Sequence, residues 1–240
     1  MNINAETPVR EIAASHPAAV KILERAAIDY CCAGTRKLKD ACEGGSARVE
    51  EVLAQLAALE TEADNTAGNW TAASLGELIR HIVDRHHVYV REESPRVQAF
   101  IEKVLARHGE GHPELAEVRQ QFAELRTDLA HHMLKEEQVL FPYVERMEKS
   151  VREGNGVPPP FFGTVRNPVQ AMIAEHDQAG DILKSLRKLT NGFAPPEGAC
   201  PTYCAMLAAL REFEGDLHQH IHLENNILFP RAVRMEQEGS

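Results

Sequence analysis

His132-Met-Leu-Lys-Glu136-Glu-Gln-Val-Leu140-Phe-Pro142 is matched in spacing by His220-Ile-His-Leu-Glu224-Asn-Asn-Ile-Leu228-Phe-Pro230. Both read His-x-x-x-Glu-x-x-x-Leu-Phe-Pro. An α-helix turns once in about 3.6 residues, so a His and a Glu four apart stand one above the other on one face. An imidazole and a carboxylate stacked in this way can grip one cation, and two such helices in a single bundle can hold a metal pair.

Around these phrases, apolar residues recur with the helical period. The first phrase continues a stripe of Phe122, Leu125 and Leu129, then passes through His132 and Glu136 to Val139 and Tyr143. The second continues Leu210, Phe213 and Leu217, and runs on to Ile227 and Leu228. A third stripe is Val169, Met172, Ile173, His176 and Leu183. In each, a polar side chain interrupts a run that should be buried. His131 and Glu137 lie about 100° off their stripe, and His218 and His222 about 200° off theirs, on the wet side. A fourth stripe, Leu75, Leu78, Ile79, Ile82 and Val83, centres a face that suits His86 better than His87. The Leu-Phe-Pro tails read as packing and helix shaping.

A lone His on an apolar face is usually a satisfied core residue. Two buried glutamates change the argument, because a buried carboxylate must be paired, protonated or metal-bound. The metal-free alternative pairs each Glu with an arginine such as Arg85 or Arg126. No Cys lies on these faces, which argues against a thiolate zinc site or an iron–sulfur cluster. Imidazole with carboxylate suits iron, manganese or zinc. Four His and two Glu are too many donors for one ion that keeps an open position. They suit two ions, bridged by the carboxylates and an oxo or hydroxo group, with room for O₂, NO or peroxide.

The expected fold is all-α: an up-down four-helix bundle over residues 74–240, preceded by a small helical domain over 1–58 and a linker over 59–73. Ser74 and Glu77 have the spacing of a capping box. The first long helix runs from 74 to about 107, with Pro95 expected to kink or interrupt it. The others cover about 113–152, 168–191 and 201–237, separated by proline- and glycine-rich loops. The interval from His87 to His132 is 45 residues and that from His176 to His220 is 44, which suggests a duplicated helix pair. In the N-terminal part, Thr7-Pro8 and Ser15-His16-Pro17 read as helix starts. Val20, Ile22, Leu23 and Ala27 form a stripe that breaks at Asp29–Gly34. A second break falls at Gly44-Gly45, and Val49, Val52, Leu53, Leu56 and Leu59 form another helix.

Composition narrows the function. The chain has 240 residues with 26 Lys and Arg against 36 Asp and Glu, a net charge of −10 that argues against a nucleic-acid partner. No apolar run reaches membrane-spanning length and no signal-peptide pattern opens the chain, so a soluble, cytoplasmic protein is expected. Five cysteines, two adjacent, do not resemble a secreted disulfide framework and suit a reducing compartment.

The residues quoted above, with Arg85-His-His87, Glu175-His176-Asp-Gln-Ala-Gly180 and the N-terminal Asp29-Tyr-Cys-Cys-Ala-Gly34, resemble the hemerythrin-like di-iron bundles. More narrowly, they resemble the Repair of Iron Centers family of iron–sulfur cluster repair proteins. The resemblance implies that His87, His132, His176 and His220 are terminal iron ligands and that Glu136 and Glu224 bridge two non-haem irons. It thus favours His87 where periodicity favours His86. It also implies repair of clusters damaged by oxidative or nitrosative stress, through iron donation, NO reduction or both. The partners would be NO, O₂ or peroxide and damaged iron–sulfur proteins; a homodimer is left open.

Cys31 and Cys32 are the candidate active thiols. Adjacent cysteines strain badly into a mutual disulfide, and Arg36 and Lys37 nearby would lower their pKa values. They are expected to pass electrons or accept iron. Cys200 and Cys204, one turn apart, have no His nearby in sequence and read as incidental. The competing functions are a hemerythrin-like O₂ or NO sensor and a metal-free helical interaction protein.

Overall fold

The helical stripes become helices in the computed structural model, which describes residues 3–15, 18–26, 28–31, 33–43, 47–59 and 70–239. His16-Pro17, Ala27, Cys32, Gly44-Gly45 and residues 60–69 of the expected linker lie outside them. Among the described residues there is no β-strand, only an isolated bridge between Pro8 and Lys37. No described helix is long and apolar enough to cross a membrane. The fold is all-α, and the chain divides into two compact units, Arg80–Leu217 and Met1–Ile79 with His218–Ser240.

The Arg80–Leu217 unit holds four helical rods. The first joins the end of α5 (Leu75–His81), a π-helical turn π1 (Ile82–His87) and α6 (Val88–His108). The second joins α7 (Glu114–Lys135), π2 (Glu136–Leu140) and α8 (Phe141–Arg152). The third is α9 (Arg166–Leu189), and the fourth is α10 (Pro201–Leu223) as far as Leu217. Helix α7 packs on α6 and α9. Helix α10 meets α7 through Phe122 and Phe213, whose rings cross at 70° with centroids 5.3 Å apart. It meets α6 through Tyr89 and Phe213 at 6.2 Å. It meets α9 through Arg187, whose Nε donates to buried Glu214 at 3.0 Å. Phe122 and Phe213 are fully buried, and burying each contributes roughly 1.5–3 kcal/mol.

The second unit contains α1 (Val9–Ser15), α2 (Ala19–Arg25), α3 (Leu38–Cys42), α4 (Val49–Leu59), most of α5, the end of α10, π3 (Glu224–Leu228) and α11 (Phe229–Glu238). Val9, Ile12, Leu23, Leu38, Leu56 and Ala232 are buried in it. Two short segments hold the first helices together: Val9 N–H donates to the Arg36 carbonyl at 2.9 Å, and Leu38 N–H to that of Thr7 at 3.0 Å. The capping box forms. Glu77 N–H donates to Ser74 Oγ at 3.2 Å, and Ser74 N–H donates back to Glu77 Oε2 at 2.9 Å. Such a cap is worth about 1 kcal/mol. Arg231 crosses from α11 to donate to the carbonyls of Trp70 and Ala73, at 2.9 and 2.6 Å.

Pro95 does not interrupt its helix; α6 runs through it from Val88 to His108. The proline and Arg91, whose carbonyl loses its partner, are both exposed, so water can replace the missing bond. Helix α9 begins two residues before the expected Asn167-Pro168 start, because Thr164 Oγ1 accepts from Arg166 N–H at 3.4 Å and Asn167 Nδ2 donates to the Phe162 carbonyl at 2.8 Å.

The three π turns were not foreseen from the sequence. A π turn carries one more residue than an α turn. Two of the three begin at Glu136 and Glu224 and stop two residues short of Pro142 and Pro230. A proline in a regular helix collides with the carbonyl four residues earlier, and the wide turn relieves that collision.

Candidate metal centre

In the Arg80–Leu217 unit, three of the rods bring their polar interruptions together. His132 Nε2 and His176 Nε2 stand 2.9 Å apart. Glu136 Oε2 lies 3.4 Å from His132 Nε2 and 3.4 Å from His87 Nε2, so one carboxylate oxygen faces two imidazoles. Ligand atoms of His132, Glu136 and His176 all fall within 4.8 Å of one another. His87, His132, Glu136 and His176 are all buried. This group of nitrogen and oxygen donors, without a thiolate, is able to hold a cation.

The turn π1 brings His87 to this place. Periodicity counted from Ile82 favours His86, but in a π turn the residue five positions along returns over the start. Both histidines are buried, in different surroundings: His86 Nδ1 pairs with Asp216 at 3.1 Å. Phe141, from the first Leu-Phe-Pro tail, stacks on His87 with centroids 5.8 Å apart. The tail therefore orients a site residue as well as shaping its helix. Arg85, one of the cations that would have paired a buried Glu, is exposed.

Two carboxylates behind the imidazoles fix their orientation. Glu137 Oε1 accepts from His87 Nδ1 at 2.6 Å and from Arg91. Glu175 Oε2 accepts from His132 Nδ1 at 2.9 Å, while its other oxygen accepts from Lys135. Partial burial pushes both carboxyls up. The bonds from His87 and Arg91, and from Lys135 and His132, outweigh it and hold both below the usual carboxylate range. With Nδ1 committed, Nε2 is the nitrogen turned toward the group. Glu137 lay off the apolar stripe, so periodicity could not identify it. A cavity of about 210 Å³ opens beside His132 and His176, lined also by Asp128, His131, Lys135 and Glu175.

In the other unit, the second phrase keeps the geometry expected of its spacing. His220 Nε2 lies 3.0 Å from Glu224 Oε1, and both residues are fully buried. The expectation that His222 faces water is wrong: it is buried under the N-terminal segment, with the Tyr30 ring edge-on at 5.5 Å. Burial pushes its pKa down to about 4, so the ring is neutral at ordinary pH. Asn226 Nδ2 meets His222 Nδ1 at 2.9 Å and donates to the Tyr30 carbonyl at 3.1 Å. The helix face was read correctly, but its cover, 196 residues away, lay beyond any local pattern.

That cover carries Cys31, which is buried. Asp29 Oδ1 accepts from the backbone N–H groups of Cys31 and Ala33, both at 3.2 Å, and lies 3.3 Å from Cys31 Sγ. The expected cations are engaged elsewhere. Lys37 pairs with Glu6 at 2.7 Å, and Arg36 reaches the Asp40 carbonyl. A carboxylate is thus set beside this thiol. Cys32 lies outside the described residues. Cys200, read as incidental, has a histidine after all: His108 Nε2 is 3.2 Å from its sulfur.

Comparison with known proteins agrees with this geometry. Residues 78–232 match the hemerythrin HHE cation binding domain, which defines the class of the bundle. Residues 5–60 match a domain of unknown function, DUF542. A probable iron-sulfur cluster repair protein of Haemophilus influenzae is 35% identical over 230 residues, covering 95% of this chain and 97% of that protein. Iron-sulfur cluster repair protein YtfE of Yersinia pseudotuberculosis is 36% identical over 225 residues, covering 94% and 96%. That of Yersinia pestis has the same identity and coverage. The chain belongs to this hemerythrin-type family of iron–sulfur cluster repair proteins.

Proposed function

We propose that this chain is a cytoplasmic, non-haem di-iron protein that restores iron–sulfur clusters damaged by oxidative or nitrosative stress. The observation that carries the reading is Glu136 Oε2, buried and equidistant from the imidazoles of His87 and His132. A carboxylate so placed suits a bridge between two cations. In this reading His87, His132, His176 and His220 are terminal ligands, and Glu136 and Glu224 are bridges. His220 and Glu224 are included for two reasons: they repeat the first phrase, and the matched cation-binding region, 78–232, contains both.

The donor set fits iron: imidazole and carboxylate, with no thiolate among them. When bound, a ferrous pair supplies electrons to NO, O₂ or peroxide, or iron to a depleted cluster. The protein's own part is positional. Buried helices exclude water, Glu137 and Glu175 hold the Nδ1 protons of His87 and His132, and the 210 Å³ cavity gives small molecules a way in. Damaged iron–sulfur proteins are the proposed clients, as the names of the relatives suggest. Cys31 and Cys32 are proposed to accept iron or pass electrons.

Purified protein should contain about two irons per chain, as a six-donor set requires. Mixed with a nitrosatively damaged iron–sulfur protein, it should restore that protein's cluster absorption. A folded protein that binds no metal, or an iron-loaded one that restores nothing, overturns the proposal. A stable NO adduct without N₂O would instead favour the sensor.

A further inference from the structure

Two motifs remain unused by the His/Glu centre: His108-Gly-Glu-Gly-His112 and Cys200-Pro-Thr-Tyr-Cys204. One links α6 to α7, and the other opens α10. They lie 92 residues apart in sequence, yet the fold sets His108 Nε2 3.2 Å from Cys200 Sγ. We infer that His108, His112, Cys200 and Cys204 form a second metal site, which takes a thiophilic divalent cation of the zinc type.

Four observations support the assignment. The spacings, His-x₃-His and Cys-x₃-Cys, fall within those that let paired ligands close on one tetrahedral cation. The ring of Tyr203, between the two cysteines, packs edge-on against both imidazoles at 5.5 Å, which keeps all four groups at one end of the unit. Glu114 Oε1 holds His112 Nδ1 at 2.9 Å and leaves Nε2 as the coordinating nitrogen. This is the carboxylate–imidazole arrangement that supports metal-bound histidines. Finally, Cys204 N–H donates to the Cys200 carbonyl at 3.1 Å, so the second sulfur stands one helical turn beyond the first on the same face.

Of the four side chains, His108 and Cys200 are the pair in contact. Closing the site requires Cys204 and His112 to turn toward that pair, and both side chains reach solvent, Cys204 being exposed and His112 32% exposed. Two thiols and two imidazoles favour zinc over the harder cations that carboxylate sites prefer. Each thiol gives up a proton to solvent as its sulfur binds the metal, so the net reaction is proton-for-metal exchange without electron transfer.

The test uses Co²⁺ as probe on the full-length, iron-loaded protein. Stoichiometric binding is expected, with thiolate-to-metal charge-transfer bands in the near ultraviolet and tetrahedral bands in the visible, all displaced by Zn²⁺. The bands should vanish in the Cys200→Ser, Cys204→Ser double variant and persist when Cys31 and Cys32 are both changed to Ser. Glu114→Gln should weaken binding about tenfold. Should the cysteine variant fail to fold by circular dichroism, His108→Asn is expected to abolish the tetrahedral spectrum. Absence of thiolate bands in the unaltered protein, their survival without Cys200 and Cys204, or their loss with Cys31 and Cys32 would overturn the assignment.

Discussion

Glu137 Oε1 lies 2.6 Å from His87 Nδ1, closer than the 3.4 Å at which Glu136 Oε2 faces Nε2 of that ring. The contact sets both tautomer and tilt, because an imidazole that donates from Nδ1 presents a lone pair at Nε2. Glu137→Gln keeps the shape but replaces a charged acceptor with a neutral one. Iron affinity is expected to fall about 10- to 100-fold, as when other such supporting carboxylates are lost. Competition with a chelator of known affinity reads this directly, and an unchanged dissociation constant would remove Glu137 from any supporting role.

Arg187 and Glu214 join α9 to α10 through a forked contact, with the carboxylate buried and the guanidinium partly open to water. Arg187→Ala leaves that carboxylate in the bundle without its main donor. The cost is about 1–3 kcal/mol, below that of a fully buried pair because Arg187 is 43% exposed. For a protein of this size the melting temperature should drop by about 2–4 °C per kcal/mol. A thermal melt that does not move would show that water replaces the arginine at no cost.

Glu6 sits between Lys37 and Lys39, 2.7 Å from each ammonium, and bonds from Lys37 and then Lys39 bring its pKa down to about 2. A carboxylate with a lowered folded-state pKa stabilises the fold above its unfolded value near 4.5 and stops doing so as pH falls through about 2. Acid should therefore loosen the segment that ties α1 to α3. Hydrogen exchange at the Val9 and Leu38 amides should accelerate across that window. Glu6→Gln should exchange faster at neutral pH and show no acid step there. Added salt should weaken the effect, since all three side chains are about half exposed.

Much of the candidate site was legible because the residues proposed for it mostly obey one period. His132, Glu136, His176, His220 and Glu224 stand on apolar stripes, and all five are buried. The first rod broke the rule, since π1 shifts the helical phase and no proline after it marks the place. Glu137 was invisible because a residue that supports a ligand need not share its face. His222 and Cys200 were misread for another reason: their partners, Tyr30 and His108, come from distant parts of the chain. Pro95 shows the opposite error, where a strong local signal lost to an exposed position that water can satisfy.

The prolines of the two repeated phrases give the last prediction. Pro142 has no N–H to donate to the Gln138 carbonyl, and its ring would strike that oxygen in a regular helix. The wide turn Glu136–Leu140 moves the carbonyl aside, and Glu136 is its first residue. Replacing the proline removes the reason for the extra residue and lets the rod relax to an α turn, which shifts Phe141, and with it the His87 ring it stacks on, in phase against Glu136 and His132. Pro142→Ala should thus lower iron affinity on the order of tenfold, through a displaced donor, as supporting-residue changes do. The apo-protein melting temperature should hold or rise, because alanine is the better helix former. Measuring both separates the two roles. Lower affinity with lower stability would indicate general damage, and unchanged affinity would show that packing around the turn, rather than the proline, sets the position of the His87 ring.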